Sequence, residues 1–291
     1  MPKGFVALCV LPGLFLVCLF LLYPTANAVL MSFTNTSSPA VGIGSFIFLD
    51  NYIHMLTKDS HFTTALLNSL QFFAIVPAVV IFLALILAFS LTQTKLKEKG
   101  IYRVLFFMPS ILSMVVIAVV FSSLLDPRAG GPVNSFLSNF GVSPIAWLGD
   151  PKYAIWAITI VMVWQAVGYY MVLQIAAIDS ISKDIFEAAD IDGASARIKF
   201  FQITIPLIID TIGITYVLAL SGTMAISFTL GMVMTRFGPG TSTLVLLGHS
   251  YNMAFRTSAF GYSMAIVVFS LLMALGFAYI SRKLTYRSAN H

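Results

Sequence analysis

The feature that most constrains this chain is the spacing of its charged residues. Short charged clusters alternate with long stretches that contain no Asp, Glu, Lys or Arg. Each stretch can hold the roughly 20 apolar residues that cross a bilayer. Only 9% of the residues are charged, against roughly 25% in soluble domains, so an ordinary water-soluble domain is excluded. The uncharged stretches are 4–49, 60–94, 104–125, 153–178, 211–235 and 257–281.

These apolar stretches favour helices over strands. Backbone amides in hydrocarbon must be hydrogen-bonded within their own segment, whereas a transmembrane barrel shows alternating strands of about ten residues. We therefore predict an all-α integral membrane protein of about six transmembrane helices, organised as a single domain over 1–291. The predicted spans lie near 5–28, 66–91, 104–125, 153–177, 207–230 and 259–281.

The first span has a second interpretation, because a small-residue sequence at Ala26–Ala28 resembles a signal-cleavage site. The apolar run before it is longer than the 7 to 15 residues of the apolar h-region in a typical signal peptide. Tyr23 and Pro24 also interrupt the approach to the site. We therefore expect this span to be retained as a helix.

The distribution of Lys and Arg predicts the orientation, because cytoplasmic loops are enriched in basic residues. With the amino terminus inside, eleven of these residues fall on the cytoplasmic side and five on the outer side. Both termini are therefore predicted to be cytoplasmic. The net charge of +5 then reflects membrane topology and predicts no nucleic-acid partner.

The cytoplasmic loop at 180–206, between the fourth and fifth spans, is the most informative stretch. From residue 182 to 207 it reads SKDIFEAADIDGASARIKFFQITIPL. Apolar residues at helical spacing predict two short helices, interrupted at Gly193. Small residues would allow a partner surface to approach closely, and Glu187 and Asp192 would meet basic groups on it. The alternative is an ordinary helical loop at the membrane interface.

The segment EAADIDGA, followed by Phe200 and by ITIP at 203–206, resembles the EAA loop of binding-protein-dependent ABC transporter permeases. Shorter motifs elsewhere resemble the carbohydrate branch of that family, which includes the maltose-type and glycerol-phosphate-type permeases. Their order and spacing carry the resemblance over nearly the whole chain. They are LDNY at 49–52, LNS at 67–69, YRVLFFMP at 102–109, WLGDP at 147–151, WQ at 164–165 and GPG at 238–240.

This resemblance implies the type I ABC importer fold, in which the EAA loop inserts a coupling helix into the ATP-binding subunit. It implies a bacterial cell-membrane importer of sugars or oligosaccharides, or of another polar solute such as glycerol phosphate. The implied partners are a second, homologous permease, two ATP-binding cassette subunits, an external solute-binding protein, the sugar substrate and membrane lipid. The implied coupling residues are Glu187, Ala188, Ala189, Asp192, Gly193 and Ala194.

Polar residues within the spans are candidates for lining a translocation pathway. Such groups normally face protein or water rather than lipid. Gln165 and Tyr169 lie four residues apart and share a helix face, as do Thr223 and Ser227. Aromatic rings beside hydrogen-bonding groups suit sugars. The alternative is helix–helix packing, in which small polar residues act as local glue.

No catalytic constellation or metal site is expected in this chain. The four histidines are scattered, without a His or Cys companion at ligand spacing. The chain has no GxxxxGK[ST] sequence, so we expect ATP and Mg²⁺ to be bound by partner subunits and the chain not to be an enzyme by itself. A secondary transporter is the alternative, but its ion route usually carries intramembrane charges, which these spans lack.

Overall fold

The computed structural model describes residues 3–38, 40, 42–94, 97–127 and 131–289. These residues are almost entirely helical, and the described part contains no strand longer than an isolated bridge between Thr34 and Phe46. The helices are α1 (Lys3–Val17), α2 (Tyr23–Ser32), α3 (Asp50–Thr57), α4 (Ser60–Gln93), α5 (Lys99–Ile111), α6 (Met114–Leu124), α7 (Pro132–Ser138), α8 (Pro151–Asp179), α9 (Lys183–Ile191), α10 (Ala196–Ile198), α11 (Ile205–Leu207), α12 (Ile209–Leu230), α13 (Leu246–Phe255) and α14 (Phe260–Ala289). Wider π-helical turns occupy Cys18–Leu22, Lys199–Thr204 and Gly231–Thr235.

Five helical stretches in the described residues are long and apolar enough to cross a membrane, and a bent helix pair raises the number to six. This confirms the predicted all-helical, multi-span architecture. The second span begins earlier than predicted, at Ser60 instead of 66, because Asp59 caps it. The Asp59 carboxylate accepts a hydrogen bond from the Phe62 amide at 3.0 Å, which satisfies one of the free amides of the first turn. The five stretches are Leu8–Ser32, Ser60–Gln93, Pro151–Asp179, Ile209–Thr235 and Phe260–Ser281.

The third predicted span, 104–125, is broken in the structure. Helices α5 and α6 meet at an angle of 98°. Pro109 lies inside α5, where it lacks an amide hydrogen, and Leu112 and Ser113 then adopt extended ψ angles of 145° and 133°. A proline removes one helical hydrogen bond and clashes with the preceding turn, so the helix ends shortly after it. Hydropathy alone does not register this break.

Contacts divide the chain into two compact units, although a single domain was predicted. The first combines Met1–Thr63 with Leu246–Met273, and the boundaries fall within α4 and α14. In this unit the buried Asn51 amide donates to the carbonyl oxygens of Ser32 at 2.8 Å and Thr34 at 2.9 Å. These bonds join α3 to the end of α2, so the irregular segment between them is held by specific polar contacts.

The second unit comprises Thr64–Val245 and Ala274–His291. Its central helix is α8, which packs against α5 and α12. At Gly168 the α8 backbone approaches α5 so closely that a methyl group would lie 1.7 Å from the Phe106 carbonyl oxygen. Farther along α8, the fully buried Gln174 amide donates to the Thr215 hydroxyl of α12 at 2.8 Å. Close packing and one buried hydrogen bond therefore hold these three helices together.

Candidate functional site

The loop at 180–206 folds as the sequence predicts, into short helices interrupted at Gly193. Ser182 caps α9, since its hydroxyl accepts a hydrogen bond from the Asp184 amide at 3.3 Å. At the other end Gly193 has a φ of +73°, a left-handed conformation that glycine adopts without steric cost. The Gly193 amide donates to the Asp190 carbonyl and the Ala194 amide to the Ala189 carbonyl. This is the paired bonding of a Schellman motif, which ends α9 sharply.

The predicted coupling residues occupy both faces of α9 and the turn that follows it. Glu187, Ala188, Asp192 and Gly193 are exposed, Ala194 is half-buried and Ala189 is buried. The exposed members form a small, acidic surface. Ile191 is 87% exposed at the end of the same helix, and sequence reasoning did not single it out. An apolar side chain at that position gives the surface one hydrophobic contact point.

A half-buried lysine, Lys199, joins α9 to the segment that leads into α12. The Lys199 Nζ atom lies 2.6 Å from the Asp190 Oδ1 atom. The next residue, Phe200, is buried and packs edge-on against Phe89 of α4, with ring centroids 5.1 Å apart. The ion pair thus joins two parts of the loop, and the aromatic contact connects the loop to α4. Neither pairing was predicted from the sequence.

The structure separates the four pathway candidates into two kinds. Thr223 and Ser227 are buried, and their hydroxyls donate to carbonyls of their own helix, those of Ala219 at 2.8 Å and Met224 at 3.0 Å. Tyr169, by contrast, is 44% exposed on α8. The role of the four candidates in a translocation pathway stays a prediction.

Gln165 is nearly buried, and its Oε1 atom has no hydrogen-bond partner in the described part of the chain. An unpaired buried carbonyl oxygen is costly, so it has the capacity to accept a hydrogen bond from an incoming group. Trp156, Ile160 and Trp164 add large exposed side chains to α8. At about 100° per helical residue these three side chains share one side of α8, whereas Tyr169 lies on another side, together with Gln165.

A second polar cluster lies in the first unit, around Asp59. One carboxylate oxygen of Asp59 accepts hydrogen bonds from the Tyr262 hydroxyl at 2.5 Å and from Nε2 of His249 at 2.6 Å. A cavity of about 490 Å³ opens beside it, and His54 and His61 are among its lining residues. Burial would raise the pKa of Asp59, but the hydrogen bonds from Tyr262, His249 and the Phe62 amide outweigh it and hold that pKa below its ordinary value.

No local sequence pattern indicates this cluster, because Asp59 lies about 200 residues from its two partners. Among the described residues, no three His, Cys, Asp or Glu side chains meet in a geometry that would hold a metal ion. His291, the fourth histidine, lies outside the described residues. The cluster is therefore a hydrogen-bonded junction of the ends of α4, α13 and α14.

Comparison with known proteins identifies the architecture. Residues 60–286 match the family model described as "Binding-protein-dependent transport system inner membrane component". The chain belongs to this family. The matched region contains the whole loop at 180–206. The chain is a multi-pass membrane permease.

Curated relatives of this permease align over most of its length. It is 32% identical to the lactose transport system permease protein LacF of Rhizobium radiobacter, over 91% of this chain and 88% of that protein. It is 32% identical to the diacetylchitobiose uptake system permease protein NgcF of Streptomyces coelicolor, over 89% of this chain and 76% of that protein. The fold also matches a solved bacterial ABC transporter involved in alginate import, with a TM-score of 0.86, 21% identity and coverage of 98% of this chain and 96% of that chain.

Proposed function

We propose that this permease is the membrane subunit of an ATP-driven importer of sugars or oligosaccharides. The observation that carries the proposal is its similarity, over about nine-tenths of its length, to permeases named for lactose and diacetylchitobiose. The exposed ring of Tyr169 supports a sugar substrate, because it shares a side of α8 with Gln165 and an aromatic ring can stack on an apolar sugar face while both side chains offer hydrogen bonds. A related polar solute such as glycerol phosphate is the competing substrate class.

The ATPase contact is proposed at the loop that contains α9. The exposed residues Glu187, Ala188, Asp192 and Gly193 supply a surface that a partner can approach closely, and Ile191 supplies an apolar contact. Carboxylates on this surface would form charge-assisted hydrogen bonds with basic groups of the ATPase. ATP and Mg²⁺ would be held by that subunit, and the permease itself would catalyse no chemical step.

The complete importer is proposed to contain this chain, a second homologous permease, two ATP-binding subunits and an external solute-binding protein. The family description, with its dependence on a binding protein, supports the last of these. The permease is proposed to lie in a bacterial cell membrane, and the bias of Lys and Arg supports an orientation with both termini and α9 on the cytoplasmic side.

The proposal is tested by affinity purification of the detergent-solubilised chain from its native membrane, with identification of the proteins that come with it. We expect a P-loop ATPase to co-purify with wild type and to be lost or strongly reduced with Glu187→Lys. Glu98→Lys is the matched control, because it makes the same charge reversal at an exposed residue on the same predicted side. Wild-type chain that purifies without any ATPase would contradict the proposal.

A further inference from the structure

The ion pair between Lys199 and Asp190 stands out among the charges of the cytoplasmic loop. The Lys199 side chain is only 14% exposed, and its ammonium lies 2.6 Å from Asp190, which is 62% exposed. Taking an ammonium out of water is costly unless it is paired. Among the described residues, Asp190 is the one carboxylate within ion-pair distance of Lys199. Lys199 therefore depends on Asp190 for compensation of its charge.

The Asp190–Lys199 pair spans the turn that contains Gly193. Between the two residues the chain passes through the left-handed Gly193 and the Ser195 cap, whose hydroxyl accepts a hydrogen bond from the Ile198 amide at 3.4 Å. A glycine turn between two short helices can absorb motion as a hinge. The ion pair connects the last turn of α9 directly to the far side of this turn, so it opposes bending there.

The far side of the pair is anchored to the membrane helices. Lys199 begins the π-helical turn Lys199–Thr204, in which the Thr204 hydroxyl donates to the Lys199 carbonyl oxygen at 3.0 Å. Phe200 contacts Phe89 near the end of α4, and Pro206 follows at the start of α11, just before α12. A displacement of α9 would therefore reach α4 and α12 through this turn.

We infer that the Asp190–Lys199 pair is a positioning element that makes α9 and the turn leading to α12 move as one body. Motion delivered to α9 then reaches the membrane helices instead of being absorbed at Gly193. The inference rests on the proposed function, because it concerns how the same loop transmits ATP-driven movement. It assigns Asp190 and Lys199 a role distinct from docking: they act within the chain, behind the surface that contains Glu187.

The test uses the complete reconstituted complex and measures the ATP hydrolysed per solute transported. Asp190→Asn and Lys199→Met each remove one charge, and we expect each to raise this ratio by about threefold or more while the ATPase subunit still co-purifies. The double variant should raise the ratio no more than either single variant, because both remove the same contact. Asp190→Glu and Lys199→Arg keep the charges and should keep the wild-type ratio.

Asp179→Asn is the control for breaking an ion pair elsewhere in the second unit. It removes the partner of Arg103, which lies 3.7 Å away with both side chains substantially exposed, and it should leave the ratio unchanged. Wild-type ratios for both Asp190→Asn and Lys199→Met would overturn the inference. Loss of the ATPase from these variants would also overturn it, because the pair would then act in docking. Failure of wild type to bind any ATPase would instead refute the proposed function.

Discussion

Replacement of Gly168 by alanine should destabilise the second unit severely. Gly168 lies on α8, where α5 crosses closely, and the contact is with backbone atoms. The added methyl carbon would lie 1.7 Å from the Phe106 carbonyl oxygen, 2.4 Å from its carbonyl carbon and 2.9 Å from the Phe107 Cα atom. Ordinary van der Waals contact begins near 3.4 Å. No rotation of a side chain can relieve the overlap, so the two helices must move apart.

The cost of this movement follows from the packing of α8. Overpacking a well-packed interior typically lowers the free energy of unfolding by about 1–3 kcal/mol. A clash with backbone atoms belongs at the upper end of this range, so we expect Gly168→Ala to lower it by about 3 kcal/mol. For a unit of the size of the second unit, that corresponds to a fall in Tm of roughly 6–12 °C. Separation of α5 from α8 would also strain the sharp break between α5 and α6.

The assay is thermal unfolding of the purified chain in detergent, followed by intrinsic fluorescence. Gly276→Ala is the matched control, because this glycine also lies in a transmembrane helix but no atom lies within 4 Å of the added methyl group. We expect Gly276→Ala to change Tm by no more than about 2 °C. A Gly168→Ala variant with the wild-type Tm would refute the close approach of α5 and α8.

Three further variants test other junctions. Because the folded-state pKa of Asp59 lies below its ordinary value of 3.8, its stabilising effect is full above that value and is lost as the pH falls through the folded-state pKa. Asp59→Asn should therefore lower Tm at pH 7. The fall in Tm that wild type shows below about pH 4 should be smaller in the variant. Equal dependence of Tm on pH in wild type and variant would contradict this prediction. Asn134→Ala should lower the free energy of unfolding by about 2 kcal/mol. It should also shift the fluorescence of Trp147, because the Trp147 indole donates a hydrogen bond to the Asn134 side chain at 3.0 Å. An unchanged emission spectrum would count against that hydrogen bond. Gly261→Ala should lower Tm, because its methyl group would lie 2.0 Å from the Thr34 carbonyl oxygen, and an unaltered Tm would show that this approach is looser.

Much of the fold is predictable because membrane insertion depends on the length and polarity of each segment. The uncharged stretches from 60 to 94 and from 153 to 178 correspond to α4 and α8. The end of α9 was also predictable, because Gly193 is the one residue there that adopts a left-handed conformation at no steric cost. The break between α5 and α6 was missed, since its signal is a single proline inside an apolar run.

The candidate sites were predictable only in part. The coupling loop has a local sequence pattern. The Asp190–Lys199 and Asp59–His249 contacts depend instead on how the folded chain packs, and the spacing of residues along the sequence does not reveal them. The pathway candidates were harder still. In helices that are apolar on all sides, sequence cannot tell a hydroxyl bonded to its own helix, as in Thr223, from an exposed ring such as Tyr169.

The most direct test of the account is uptake of a labelled oligosaccharide by proteoliposomes that contain this permease with its co-purified subunits. We predict that uptake requires ATP and the solute-binding protein, and that Glu187→Lys abolishes it while Glu98→Lys does not. Uptake by the chain alone, driven by an ion gradient and insensitive to Glu187→Lys, would contradict the account and identify a secondary transporter.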